Sequence, residues 1–440
     1  MLRLAPAHIV LFQKAWQALS GFITALLVTH FLSAGEQGYY YTIGSLLSGY
    51  VLLDLGLSGL LVQISARMFS GLNMGDGGRV GPAGEKRSAY IAMLAWSRRW
   101  YTRVSLMALV LLPVGFLYFS IARTGHEEIN WQWPWIFVVI AVALSMSVYS
   151  LLSIIEGAGR VAEVYWVRFA HYALGAVLAW TLIAGGKGLC APAMPPLAIA
   201  VTTFVWFRLR YRNLLENNDS IHGFSWREVV WPLQKRVAIS WFAGYAFLNA
   251  PILIVFFYRD AASAGQLGLS AAIANILGSL CASWLTAAVP RITNLVSFGR
   301  DGDSKALFLN EFRKALFLMI LSYGAVVLLV IGIGHLRIAR RLLPPLETAL
   351  LFAVFAVFHS VGMLSFHFRA RGREVLAYPL AVATLLSLFV SCLIAPSLGV
   401  VGVIAVFLGL FVSICIPSMI IGWRKMNRIL VPCPGDSGKL

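Results

Sequence analysis

Crossing a bilayer takes a run of about 20 mostly apolar residues. Measured against that length, the chain of 440 residues divides into about twelve candidate spans. They lie near 9–32, 41–66, 103–122, 135–156, 167–186, 190–207, 237–258, 268–290, 315–334, 348–367, 375–395 and 399–422. The links between them are short and often closed by Gly or Pro, which leaves no room for an inserted soluble domain. In lipid, a spanning segment must satisfy its own backbone groups, so runs of this length are helices. The predicted fold class is an all-α polytopic membrane protein.

The pattern contains an internal echo. Ser33-Ala34-Gly35-Glu36-Gln37-Gly38 follows the first span, and Ser263-Ala264-Gly265-Gln266-Leu267-Gly268 follows the seventh, 230 residues later. Gln13-Lys14 in span one is likewise mirrored by Gln234-Lys235 before span seven. An even number of spans per half gives both halves the same orientation, so the repeat is parallel, about an axis along the membrane normal. The expectation is an N-terminal six-helix lobe over 1–215, a C-terminal six-helix lobe over 216–423 and a cytoplasmic tail over 424–440, the two bundles related by a pseudo-two-fold axis.

Polar residues inside the spans are costly in hydrocarbon and normally face a bundle interior or a watery cavity. Span one carries Gln13, Lys14, Gln17, Ser20, Gly21 and Thr24 within an arc of about 120°. Either this is a hydrophilic stripe with one fixed cation, or Lys14 snorkels to the headgroups while its neighbours pack helices. Span two places Asp54, Ser58 and Ser65 on one face, with Gly49, Gly56, Gly59 and Gln63 roughly opposite, where small residues admit a second helix. Asp54 is the most deeply embedded acid. It is a partner for Lys14, a proton acceptor, a contact for sugar hydroxyls, or a purely structural group.

Span four presents Ser145, Tyr149, Ser153 and Glu156 on a common face, and Arg168 and His171 open span five. Span eight repeats the pattern with Asn275, Ser279, Ser283 and Thr286. Span seven offers Trp241, Tyr245 and Asn249 at i, i+4 and i+8, a row suited to stacking on sugar rings or to core packing. His359 and His367 in span ten are readable as hydrogen-bonded structural residues. Five helices with polar faces imply a central wet path lined by Lys14, Gln17, Thr24, Asp54, Ser58, Ser145, Tyr149, Glu156, Arg168, His171, Asn249, Asn275, Ser279 and Thr286.

Composition removes the soluble alternatives. The chain is 59% hydrophobic and only 12% charged, with a mean hydropathy of +0.80, whereas a soluble chain carries about 25% charged residues. The formal charge is +17, which in a soluble protein would suggest nucleic acid. Here the Lys and Arg residues collect in alternate loops with an asymmetry of about fourfold, as the positive-inside rule requires, so both termini are expected in the cytoplasm and no nucleic-acid partner is expected. One loop disagrees: Leu336–Leu343 is basic yet falls outside in this count, as an interfacial turn or beside a misplaced span.

Five Cys show no CxxC spacing and no metal pattern. The first apolar stretch is long, dotted with polar residues and without a small-residue cleavage site, so no cleavable leader is expected. No phosphate-binding G-x-x-x-x-G-K-[ST] or zinc H-E-x-x-H motif occurs. No cofactor or metal is expected, and the glycine-rich Gly75-Asp76-Gly77-Gly78 reads as flexible linker.

Phe31-Leu32-Ser33-Ala34-Gly35-Glu36-Gln37-Gly38-Tyr39-Tyr40-Tyr41-Thr42-Ile43-Gly44-Ser45-Leu46-Leu47, followed by Asp54-Leu55-Gly56-Leu57, resembles the first hairpin of bacterial O-antigen and polysaccharide flippases. These belong to the multidrug/oligosaccharidyl-lipid/polysaccharide exporter superfamily, and Ser263–Leu269 resembles the matching hairpin of the second lobe. The likeness is sharp over about 40 residues and topological elsewhere. It implies two six-helix bundles forming a V, with spans one, two, seven and eight lining a cleft. It further implies a non-enzymatic flippase in the bacterial inner membrane, serving lipopolysaccharide or other polysaccharide biosynthesis. The substrate would be a polyprenyl-diphosphate-linked oligosaccharide, and the partners the lipid bilayer, a polysaccharide polymerase and other assembly proteins. Lys14 would meet the diphosphate, with Arg168 or His171 assisting. Lipid II flippases of the superfamily are richer in arginine there. The alternatives are an ion-coupled exporter of amphiphilic drugs from the same superfamily, and a membrane-embedded glycosyltransferase or ligase.

Overall fold

The computed structural model describes residues 6–122, 129–216, 225–332, 334, 339–371 and 373–429. Residues 336–338 of the basic loop and 430–440 of the tail lie outside the described residues. The chain divides into two compact units, Met1–Tyr245 with Asp260–Gly265, and Ala246–Arg259 with Gln266–Leu440.

In the first unit, α1 (Pro6–Phe31) starts at a proline whose missing N–H costs nothing at a helix start. A capping box opens α2 (Ala34–Leu47): the Ser33 hydroxyl accepts from the Glu36 amide at 3.1 Å, and the Glu36 carboxylate accepts from the Ser33 amide at 2.7 Å. The second span is then interrupted. A 3₁₀ turn at Ser48–Tyr50 leads into the single turn α3 (Val51–Asp54), and α4 (Leu57–Met68) starts afresh after Leu55 and Gly56. Both carry positive φ, 47° and 75°.

The link after α4 departs from the sequence expectation. Gly75–Gly78 is no loose linker but the turn of a small hairpin, β1 (Asn73–Met74) paired antiparallel with β2 (Val80–Gly81). Buried Met74 and Val80 anchor it in the core, and Arg160 donates to the Met74 carbonyl at 3.0 Å. Polarity and glycine content suggested a linker because they do not reveal that two apolar residues at the hairpin shoulders are buried.

Then follow α5 (Glu85–Ala108), α6 (Leu111–Ile121), α7 (Gln132–Gly157), α8 (Val161–Ala184), a 3₁₀ turn at Gly188–Ala193, α9 (Met194–Arg210), and the short α10 (Arg212–Glu216) and α11 (Trp226–Val229). Their core is built from Leu57, Leu61, Ile64, Tyr90, Met93, Tyr101, Ile154 and Phe207, all almost fully buried.

Long helix α12 (Trp231–Tyr258) contributes to both units. The second unit continues with α13 (Ala261–Ser297), α14 (Asp301–Gly332), α15 (Pro345–Arg369), α16 (Ala377–Leu410) and, after a π turn at Phe411–Cys415, α17 (Ile416–Ile429). Its core centres on Phe247, stacked on Phe358 with centroids 4.0 Å apart and ringed by Phe355, Phe407 and Phe411. The candidate spans eight and nine leave 291–314 between them. Instead α13 and α14 run 37 and 32 residues and leave only 298–300 between them. Apolar length marks where lipid ends, whereas Lys, Arg, Glu and Leu continue a helix past that point.

Ten helical stretches among the described residues are long and apolar enough to cross a membrane. The last, Ala377–Met426, has 50 residues and breaks at Gly399 (φ 61°, ψ −144°), long enough to cross twice and divided where the sequence separates its final two spans. With α1 added, the expected twelve are accounted for. Leu117, Phe317, Leu328 and Phe389 are 63–70% exposed, a pattern that water would not tolerate over so many large apolar side chains and that lipid requires. The chain is a multi-pass membrane protein.

Candidate functional site

The interruption of the second span organises a polar cluster in the first unit. With Leu55 and Gly56 out of the helical region, the first amides of α4 have no carbonyls to bond, and Asp54 serves them. Its carboxylate accepts from the Ser58 amide at 3.3 Å and the Ser58 hydroxyl at 2.9 Å, and also from the phenol of Tyr101 on α5. Asp54 is only 4% exposed. An acid buried that deeply needs such donors. The glycine at 56 is required twice over, by its positive φ and because a Cβ there would stand 2.6 Å from the Trp241 indole nitrogen of α12.

On the facing helices, Arg168 of α8 pairs with Glu156 of α7 at 2.6 Å, their side chains 24% and 15% exposed. The Arg168 guanidinium lies 4.7 Å from the centroid of the Tyr165 ring. It also lies within electrostatic reach of Lys14 on α1, of Tyr149 and of His171. Lys14 is exposed, and Gln17, one turn on, lies beside the Tyr172 hydroxyl. Tyr50 and Tyr149 complete the group, with Tyr149 and Tyr101 ring centroids 6.3 Å apart. His171 is 3% exposed, and its Nδ1 has no hydrogen-bond partner among the described residues.

Lys14, Gln17, Asp54, Ser58, Tyr149, Glu156, Arg168 and His171 are therefore neighbours. Two other expected residues of this unit are occupied with packing. Thr24 donates to the Ser20 carbonyl at 2.7 Å and accepts from the Trp180 indole of α8 at 2.8 Å. Buried Ser145 donates to Val142 of its own helix at 2.8 Å. The remaining four belong to the second unit. Asn249 on α12 and Asn275 on α13 are half-buried, while Ser279 and Thr286 are exposed along α13, with the Thr286 hydroxyl bonded to Ala282 at 3.0 Å.

Sequence reasoning missed Tyr50, Tyr101, Tyr165 and Tyr172. Aromatics in apolar runs read as packing, and Tyr101 sits in the arginine-rich start of its span. The sole hint was the proximity of Asp54 to Gly56, a pair common where helices stop. A network at the ends of two spanning helices was also unforeseen: Glu163 accepts from Trp206 at 3.1 Å and Tyr211 at 2.9 Å. Burial together with that bond pushes the Tyr211 phenol well above its ordinary pKa.

The echoed segments meet within the first unit. Gln37 donates from Nε2 to the Gly265 carbonyl at 2.9 Å, and a Cβ on Gly38 would overlap the Ala261 carbonyl. The copies differ in detail. Ser33 caps α2, whereas Asp260 caps α13 and accepts from Ser263 at 2.7 and 2.8 Å. In the second echo, Gln13 and Gln234 are both buried and Lys14 and Lys235 both exposed.

Neither a family model nor a curated protein matches the chain. Solved structures do. A lipid II flippase, MurJ, in an inward closed conformation superimposes with a TM-score of 0.65 at 12% identity, covering 94% of this chain and 87% of that one. An inward-facing multidrug resistance MATE transporter of the MOP superfamily gives 0.56 at 12%, over 94% and 99%. The MATE multidrug transporter DinF-BH gives 0.55 at 14%, over 97% and 95%. At these identities the likeness concerns the fold alone, an all-α bundle of membrane-length helices.

Proposed function

We propose that the protein is a flippase that carries a polyprenyl-diphosphate-linked oligosaccharide, an O-antigen or exopolysaccharide repeat unit, across the bacterial inner membrane by alternating access. The observation that supports this most is the exposed Lys14 ammonium beside an Arg168 guanidinium fixed by Glu156. A diphosphate presents several charged oxygens, and a point charge next to a planar fork suits it. Around it, Gln17, Tyr50, Tyr149 and Tyr172 offer donors, acceptors and ring faces for sugars. The prenyl tail would remain in lipid. No bond in the substrate changes, so no catalytic residue or cofactor is needed, and the lobes 1–215 and 216–423 would move against each other with both termini cytoplasmic. Polysaccharide polymerase and other assembly proteins would receive the product.

The likeness to the lipid II flippase supports the lipid-linked class over the drug-export alternative, whose representatives superimpose less well. Depleting the protein and identifying lipid-linked saccharides by mass spectrometry tests the proposal. One polyprenyl-diphosphate oligosaccharide should accumulate with its sugars on the cytoplasmic face. Normal saccharide pools combined with new sensitivity to cationic dyes would replace it with the drug-export reading.

A further inference from the structure

Helix α5 carries a second concentration of positive charge that the transport reading leaves unused. A cavity of about 350 Å³ opens on it, lined by Arg98, Arg99, Thr102 and Arg103, with Ile91 and Leu214 among its apolar walls and no acidic residue among the described residues that line it. The lining positions on α5 recur at helical spacing, so the three guanidinium groups share one face. Arg99 and Arg103 are exposed and take part in none of the ion pairs among the described residues. Guanidinium forks of this kind grip phosphate oxygens in pairs.

The depth of the cavity follows from what adjoins it. One turn beyond Arg103 the helix becomes apolar and outward-facing, with Leu106 63% and Val110 61% exposed in line with Arg99 and Arg103. On the neighbouring side of α5, Trp96 and Trp100 stack on each other and on Trp226, with centroids 5.9–6.3 Å apart. These rings pack against the core of the unit, so the level is set by the basic face and by the exposed apolar strip that follows it on the same helix. The arginines therefore stand at the boundary between hydrocarbon and water, above a strip made for acyl chains. A soluble anion would have no use for that strip.

We propose that this cavity binds the phosphate headgroup of an anionic membrane phospholipid, whose acyl chains lie along Leu106 and Val110. Basic pockets at the membrane surface hold such headgroups through the same combination of charge and shape. The site is separate from the Lys14–Arg168 cluster and does not depend on what that cluster transports.

Native mass spectrometry of the full chain, released from detergent with phosphatidylglycerol, phosphatidylcholine or sodium phosphate added, provides the test. The wild type should retain phosphatidylglycerol in preference to phosphatidylcholine. The double variant Arg99→Gln/Arg103→Gln should lower that preference about tenfold or more, as expected for two cations removed at headgroup level. Both side chains are exposed, so folding is not at stake. Arg424→Gln/Lys425→Gln, which removes the same charge from exposed positions on α17, should leave the preference intact. Absence of a preference in the wild type, its survival in the double variant, or its equal loss in the α17 control would each overturn the proposal. Displacement of the lipid by millimolar phosphate would instead make this a soluble-anion site.

Discussion

Asp54 and Lys14 occupy opposite situations in one cluster, and their substitutions should separate accordingly. Asp54 is buried and accepts bonds from Ser58 and Tyr101 while covering the start of α4. Asp54→Ala strands those donors and should destabilise the protein by about 1–3 kcal/mol, read as an earlier thermal transition in detergent. Asp54→Asn keeps most acceptors and should cost clearly less; equal losses would show that the charge, not the bonds, matters. Exposed Lys14 carries no such duty. Lys14→Ala should insert normally yet reduce polysaccharide export by about tenfold, with Lys14→Arg restoring most of it. Normal export by Lys14→Ala would mean that the side chain merely snorkels. Glu156→Gln releases Arg168 from its 2.6 Å partner and should tighten binding of a pyrophosphate-bearing lipid while slowing its release, measurable as a lower dissociation rate with unchanged monodispersity.

The transmembrane helices were readable because hydrocarbon imposes a length on apolar runs, and every expected span contains helix. The interruption inside the second span was not. Ser48–Gly56 is as apolar as its flanks, and only the φ values of Leu55 and Gly56 and the capping by Asp54 reveal that two helices meet there. The sequence marked Asp54 as an embedded acid without indicating that it ends a helix. It marked Arg168 and Glu156 without indicating that they pair, since their approach depends on how α7 and α8 pack. The tyrosines became visible only in three dimensions, because a phenol in an apolar run has no sequence signature. Gly56 provides the test of the interruption. Gly56→Val adds a side chain against Trp241 at an unfavourable φ and should destabilise the protein by roughly 2 kcal/mol or more. Trp241→Ala in the same background should recover only part of the loss, because Val237 Cγ1 would also stand 2.8 Å from the new Cβ and the unfavourable φ persists; full recovery would show that both are negligible.

For the whole molecule, the fold is shared with a lipid II flippase and multidrug transporters, and the function proposed above, carriage of an anionic, sugar-bearing cargo, is the one that a charged, tyrosine-rich cluster would suit. The most direct measurement uses purified protein in proteoliposomes loaded with a polyprenyl-diphosphate oligosaccharide in both leaflets. An added glycosidase, unable to cross the bilayer, then reports how much sugar reaches the outer face. The account predicts that the protein raises the cleaved fraction from about half towards completion within minutes and that Lys14→Ala does so far more slowly. A cleaved fraction that stays near half with active protein present, while the same vesicles move a cationic dye, would contradict it.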